Sequence, residues 1–319
     1  MTDVALHEGT GISIRGLTKT FGTLRAVDDL TFDIRPGRVT GFLGPNGAGK
    51  TTTLRMLLGL VRPTSGEALI GGLRYADLPR PMNVVGSALE ATGFHPGRSG
   101  RDHLRVLAAT HGIPDSRVDQ LLELVGIPAA ARKRAGAYSM GMRQRLGLAA
   151  GLLGDPGVLL LDEPANGLDP EGIRWMRGFL RHLAENEGRT IVVSSHMLSE
   201  VEQTVDDVVI IANGQVVSQG TIEELHGEQT ALVRTDDAAA LAAELGRAGL
   251  TAHPSPEHGP DALQVEGAGG DLARVGDVAL AAGQPVHELR ALRTDLERLF
   301  LELTESPEHR NRNLQEKTR

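Results

Sequence analysis

No cysteine occurs in the 319 residues, which excludes disulfides, thiolate metal sites and thiol catalysis. Aromatic side chains are almost as scarce. Six Phe, two Tyr and one Trp leave few candidates for any task that needs a ring. Lysine occurs only at 19, 50, 133 and 317, so the basic residues are nearly all arginine. The formal net charge of −8 argues against nucleic acid as the main partner. No apolar run approaches the ~20 residues of a membrane span. Any work at a membrane is therefore expected from another polypeptide or from a docked surface. The opening MTDVALHEGTG lacks the basic start and apolar stretch of a targeting signal. The length suffices for one large domain and part of a second.

Three strings stand out: GPNGAGKTT at 44–52, YSMGMRQRL at 138–146 and VLLLDEPANGLDP at 158–170. The first fits the P-loop template, with Gly44, four spacers, Gly49, Lys50 and Thr51. Its glycines let consecutive backbone N–H groups turn toward phosphate. The predicted cradle comprises Gly44, Pro45, Asn46, Gly47, Ala48, Gly49, Lys50, Thr51 and Thr52. Lys50 adds a point charge, and the Thr51 hydroxyl is offered to Mg²⁺. The flanks agree: RVTGFLG (38–44) reads as a strand, and TTTLRMLLGL (51–60) as a helix with Leu54, Leu57 and Leu58 on one face. A chance Gly-rich turn would not place Lys-Thr in register between those flanks.

The run from Val158 to Leu161 is apolar throughout, as expected of a central parallel strand buried on both faces. It ends in two carboxylates. Asp162 falls at the strand's C-terminal end, where ligands bind in open α/β sheets, and can hold Mg²⁺ through water. Glu163 is placed to polarise an attacking water. An isolated Asp-Glu pair would read as solvated loop acids, but this pair follows a buried strand in a P-loop chain.

Taken in order, the P-loop, YSMGM, Asp-Glu-Pro, Gly-Leu-Asp-Pro and Ser195-His196 resemble the ATP-binding-cassette ATPases over roughly residues 11–225. The resemblance implies that Ser139 and Gly141 belong to a signature that closes ATP held by the opposite protomer. Met140 and Met142 depart from the family's Leu-Ser-Gly-Gly-Gln pattern, while Ser139 and Gly141 keep it. It further implies that Phe21, in KTFG, stacks on adenine and that Asp169 reaches toward the partner. His196 is implied to contact the γ-phosphate. Glu90 stands where the family usually has a Gln linking Mg²⁺ to the transport subunits; a carboxylate there could bind the metal or its water, the alternative being a surface acid without that role. Glu90 and YSMGM together resemble the subgroup of bacitracin-type and other antibiotic exporters.

The expected fold is α/β: a P-loop core with an antiparallel β subdomain, and a helical signature subdomain at about 100–150. A small C-terminal α+β domain is expected at about 228–304, followed by a polar tail over 305–319. Residues 11–36 read as an antiparallel strand pair, and VVIIANGQVVSQG as a hairpin turned at Asn213-Gly214. The region after Gly220 reads strand, helix, a Pro/Gly/His-rich stretch to Gly259, strand, helix, strand, helix. The two His near 253–258 lack a metal partner set and read as loop.

The resemblance implies an ATP-hydrolysing subunit at the cytoplasmic face of the membrane. It would work as a dimer, most simply of two copies, with ATP and Mg²⁺ and with integral membrane permease subunits. A soluble non-transport cassette ATPase acting on ribosomes or DNA is the alternative. Those commonly carry two tandem cassettes or a coiled-coil insertion, whereas this chain shows one cassette and no heptad run. A module that holds ATP without hydrolysing it is disfavoured by Glu163 and His196.

Overall fold

The computed structural model describes residues 10–89, 93–198, 202–226, 230–268, 271–292, 300 and 304. Glu90 and the tail 305–319 lie outside the described residues. The chain divides into two compact units, Met1–Ile222 with Phe300–Arg319, and Glu223–Leu299. Among the described residues no helix is long and apolar enough to cross a membrane.

In the first unit, β1 (Ile12–Phe21) and β2 (Leu24–Ile34) pair antiparallel, with the register broken between Ile14 and Leu17 and again toward Thr20. These irregularities let Ile12, Ile14 and Leu17 all point inward despite their uneven spacing. After β3 (Val39–Leu43) and helix α1 (Lys50–Leu57) the chain enters β4 (Ser65–Ile70). β4 pairs with β1, so this strand of the P-loop unit joins the antiparallel sheet of order β2-β1-β4.

The second sheet has the order β5-β6-β7-β3-β8-β9. It contains β5 (Val85–Ala88), β6 (Val158–Asp162), β7 (Thr190–Ser195), β8 (Asp207–Ala212) and β9 (Gln215–Thr221). Its neighbours run parallel except β8 and β9, which turn at Asn213 (φ 51) and Gly214 (φ 80). Two positive φ values match the twist of a two-residue hairpin, which is why Asn-Gly stands there. β3, β7 and β8 are buried at every position, as strands covered on both faces must be. Phe32 of β2 meets Phe42 of β3 with ring centroids 5.5 Å apart. Leu54, Leu57 and Leu58 are buried in the same cluster, as the helical spacing predicts.

Between the short α2 (Pro81–Val84) with β5 and the strand β6 lie three longer helices, α3 (Gly100–Thr110), α4 (Asp115–Leu124) and α5 (Met140–Gly151). Leu104, Ala108, Val118, Leu121 and Leu122 are buried at helical spacing. The end of α5 lies directly on β5, where a Cβ on Gly86 would stand 2.0 Å from the Gly151 carbonyl oxygen. Helix α6 (Pro170–Glu185) then connects β6 to β7.

A short helix, α7 (Ile222–His226), begins at the last residue of the first unit's main segment and opens the second. The second unit runs β10 (Thr230–Thr235), α8 (Ala238–Arg247), β11 (Thr251–Pro254), β12 (Ala262–Glu266), α9 (Leu272–Ala281) and β13 (Val286–Leu292). Its antiparallel sheet has the order β11-β12-β10-β13, the ferredoxin-like arrangement of a βαββαβ chain. Ala231, Val233, Leu241, Leu245, Leu263, Val265 and Val275 form its core. β11 falls inside the stretch read from sequence as Pro/Gly/His-rich loop. It is a four-residue edge strand ending in Pro254, which an edge tolerates because it asks for no second ladder. The helix expected after β13 lies outside the described residues except at Phe300 and Thr304.

Gly86 offers a direct check of how α5 is seated. Gly86→Ala must move backbone rather than a flexible side-chain end, so the upper part of the usual ~1–3 kcal/mol overpacking cost applies. The expected result is a melting temperature lower by about 2–4 °C for each kcal/mol lost. An unchanged thermal transition would show that α5 does not rest on β5 this closely.

Candidate functional site

The parallel register sets the site. Leu43 of β3 pairs with Ser195, and Asp162 of β6 with Ser194, so three strands end level at their carboxyl ends. The loop leaving β3 needs its glycines. A Cβ on Gly44 would lie 2.4 Å from the Ile211 oxygen, and one on Gly49 (φ 105) 2.5 Å from the Ala26 oxygen. The tip is open: Asn46 and Gly47 are exposed, and nothing stands within 4 Å of a Cβ on Gly47. Gly214 of the β8–β9 turn supports the loop by donating to Ala48 O at 3.1 Å. Gly49 begins α1 with no side-chain cap, so the first-turn N–H groups there face the loop unclaimed by a side chain. That geometry suits an anion.

Lys50 is only 6% exposed. Its Nζ donates to Gly44 O at 2.6 Å and Pro45 O at 3.3 Å, and lies 3.5 Å from Glu163 Oε1. Burial holds its pKa below the ordinary value, outweighing the attraction of Glu163 and Asp162, which raises it. Thr51 Oγ1 donates to Asp162 Oδ2 at 2.7 Å. The other Asp162 oxygen accepts from Ser194 Oγ. Ser194 Oγ in turn accepts the backbone N–H of Glu163 at 2.9 Å. Glu163 sits at φ 48, a left-handed conformation that costs a non-glycine residue on the order of 1–3 kcal/mol. From there its Oε2 meets His196 Nδ1 at 2.8 Å. Facing a carboxylate, Nδ1 carries the hydrogen.

Lys50, Thr51, Asp162, Glu163 and His196 are thus brought together. Ser139, Gly141 and Asp169 form a different group. Ser139 caps α5 by accepting Met142 N at 3.3 Å, and Asp169 caps α6 by accepting Gly172 N at 2.8 Å. A Cβ on Gly141 would touch Leu168, and one on Gly167 would crowd Met140, so the start of α5 lies beside the Gly-Leu-Asp loop. Among the described residues no hydrogen bond or ion pair joins these three to the Lys50 cluster. Phe21 is 47% exposed at the end of β1, with Lys19 Nζ 4.8 Å from its ring centroid. It is an open ring rather than a core residue. Sequence reasoning did not single out Ser194 as a site residue. The signal is positional: it lies two residues before His196, where β7 pairs with the end of β6. Near the other histidines, His258 Nδ1 meets Ser255 Oγ at 2.9 Å, and among the described residues no metal-binding group of three or more His, Asp or Glu forms.

A family model described as ABC transporter matches residues 27–166. The bacitracin transport ATP-binding protein BcrA of Bacillus licheniformis is 44% identical over 218 residues, covering 68% of this chain and 71% of that protein. The chain belongs to the ABC transporter ATP-binding family. It is an ATP-binding ATPase with the cassette fold of that family. The uncharacterized ABC transporter ATP-binding protein YhcH of Bacillus subtilis (strain 168) is 34% identical over 299 residues, covering 92% of this chain and 96% of that protein. That match extends well beyond the cassette. A solved structure described as the ATP binding subunit of an ABC transporter superposes with TM-score 0.60 at 27% identity, covering 67% of this chain and 91% of its own. A second family model, a domain of unknown function, matches residues 229–297.

The buried Lys50 generates a two-sided prediction. Its folded pKa lies below the unfolded value, so the unfolded chain binds the proton more tightly, and stability rises with pH between the two values. Lys50→Met removes that penalty and is expected to raise the melting temperature of the nucleotide-free protein. The same change should weaken ATP binding roughly 10- to 150-fold, the equivalent of a charged hydrogen bond worth about 1.5–3 kcal/mol. A lower melting temperature would mean that attraction to Glu163 and Asp162, with the bonds to Gly44 O and Pro45 O, outweighs burial.

Proposed function

We propose that this cassette is the ATP-hydrolysing subunit of a membrane exporter and works as a dimer with separate integral membrane permease subunits. The observation that carries the reading is the placement of Glu163. Its carboxylate stands between Lys50 and His196, at the end of a strand whose last residue, Asp162, is bonded to the P-loop hydroxyl of Thr51. Lys50 and the loop N–H groups hold the β- and γ-phosphates. Glu163 takes the proton of a water whose oxygen attacks the γ-phosphorus in line with the departing ADP oxygen. His196 fixes the Glu163 carboxylate and faces the γ-phosphate. Catalysis is positioning plus electrostatic stabilisation. The Thr51 hydroxyl and Asp162 carboxylate are hard oxygen donors that suit Mg²⁺, which supplies charge neutralisation on the phosphate oxygens. Phe21 offers its open ring to adenine.

Ser139, Gly141 and Asp169 share one neighbourhood away from the bonds of the Lys50 cluster. This supports a site completed by a second copy, in which the start of α5 in one protomer closes ATP on the P-loop of the other. The relative's description as a bacitracin transport protein supports export of a peptide antibiotic or a similar drug, and a place at the cytoplasmic face of the membrane. The second unit, Glu223–Leu299, which holds most of the region 228–304, acts as an accessory domain that modulates dimer contact or docking, since every phosphate-facing motif precedes residue 200.

Glu163→Gln is expected to keep ATP affinity and lose about 10²–10⁴-fold in turnover, the range for removing a general base. Hydrolysis at the wild-type rate would remove Glu163 from this role. In that background, light scattering should show an ATP-dependent dimer. Adding Ser139→Arg should abolish it, because a bulky cation displaces the helix start. Undiminished dimerisation would overturn the two-copy site. Vesicles carrying the permease and the cassette should accumulate a bacitracin-type peptide only with ATP, and failure with every such peptide would sink the proposed cargo class.

A further inference from the structure

Ser194 carries an arrangement that ATP binding alone does not require. It is fully buried, at 0% exposure. Its single hydroxyl does two things. It donates to Asp162 Oδ1 and accepts the Glu163 N–H at 2.9 Å. The Glu163 N–H belongs to a residue at φ 48, a conformation that persists only where surroundings over-determine it. The opposite Asp162 oxygen is already engaged by Thr51 at 2.7 Å. One oxygen atom on β7 therefore links the carboxylate bonded to the P-loop with the backbone that aims the next carboxylate.

We propose that Ser194 is a positioning residue for hydrolysis: its hydroxyl locks the Asp162–Glu163 peptide in the orientation that points the Glu163 carboxylate at Lys50 and His196. The inference rests on the proposed role of Glu163 and deepens it. Without the hydroxyl, the Glu163 N–H loses its acceptor and Asp162 loses one donor, both at part-buried positions beside the fully buried Ser194. The remaining backbone restraint, Asn166 N donating to Glu163 O at 3.1 Å, lies on the far side of the residue, so the loss favours relaxation of Glu163 to an ordinary φ. That relaxation would carry the carboxylate away from His196 Nδ1, now 2.8 Å distant. Lys50, the loop glycines and the start of α1 are untouched, and Asp162 keeps its bond from Thr51 at 2.7 Å, so phosphate binding persists. Ser194 acts on where Glu163 points, while its neighbour Ser195 bonds locally to Met197.

The test is a volume-matched pair in the full-length protein, Ser194→Thr and Ser194→Val. The two replacements differ in a hydroxyl against a methyl at the same site. Both are measured for ATP affinity with Mg²⁺, for steady-state phosphate release and for the nucleotide-free crystal structure. Ser194→Val is expected to lose roughly 10–100-fold in kcat, the usual effect of removing a partner that orients a first ligand. Its ATP affinity should stay within about twofold. Its nucleotide-free structure should show Glu163 off the left-handed region and parted from His196. Ser194→Thr should keep turnover within about threefold of wild type and retain both features. If the added methyl prevents folding, Ser194→Ala, which adds no volume, should repeat the Ser194→Val result. Equal kcat for the hydroxyl-bearing and hydroxyl-free variants would overturn the proposal. So would a loss of ATP affinity as large as the loss of kcat, or a Glu163 that stays near φ 50 without the hydroxyl. Glu163→Gln assayed alongside separates the two layers. If it hydrolyses ATP normally, the site reading itself fails; if it is inactive while Thr and Val agree, only the role of Ser194 fails.

Discussion

The Asp162 carboxylate is the tie on which the rest of the site depends. One oxygen accepts from Thr51 at the head of α1, the other from Ser194 at the end of β7. A half-buried carboxylate needs such partners, because desolvation without hydrogen bonds is expensive. Two hydroxyls from two elements satisfy it, and in doing so they fix the P-loop helix against the sheet. The in-register ends of β3, β6 and β7 make this possible, since they bring Leu43, Asp162 and Ser194–Ser195 to one level.

Around that tie the protein holds several unfavourable local states. Glu163 stands at φ 48, and Lys50 is buried enough to disfavour its own charge. Each would relax if the surroundings allowed. Strain of this kind collects at functional sites, where a group must point at something other than its most comfortable neighbour. The P-loop glycines belong to the same account. Gly44 and Gly49 are required by close backbone approach to Ile211 and Ala26, while Gly47 leaves the tip open.

Helix α5 is held by a different set of contacts. The guanidinium of Arg145 on α5 lies 3.7 Å from the ring of Trp175 on α6 and donates to Val125 O at 3.0 Å, just beyond α4. Trp175 stacks on Phe179 at 5.0 Å. The chain's one tryptophan therefore joins the helical region to α6, at the elements that present Ser139 and Asp169. Desolvation lowers the Arg145 pKa, with Glu171 and Asp169 pulling the other way, so the charge is held by its ring and carbonyl partners. Ser139 and Asp169 already have work within one chain as helix caps. Their side-chain oxygens are fixed at the helix starts by that work.

Local chemistry was enough to read the P-loop, the buried run of β6, the Asn213-Gly214 hairpin and the helical stretch around α3 and α4. In each, the signal lies within a few residues: a glycine spacing, an unbroken apolar run, a turn dipeptide, a 3.6-residue period. The sequence also named Lys50, Thr51, Asp162 and Glu163 as candidates, because each stands beside such a signal, and His196 through the family resemblance. It did not reveal that β4, which follows α1, pairs with β1, since strand pairing is decided between distant segments. It hid β11, whose TAHP lacks both alternation and length. It gave no sign that Ser194 would bridge two carboxylate residues, or that Glu163 would be held left-handed. Those features exist only where strands far apart in the chain come into register. Composition and spacing thus determined which chemical groups this protein has to work with, and the tertiary structure decided which of them meet and which way they point, because hydrogen bonds between separate strands have no local code.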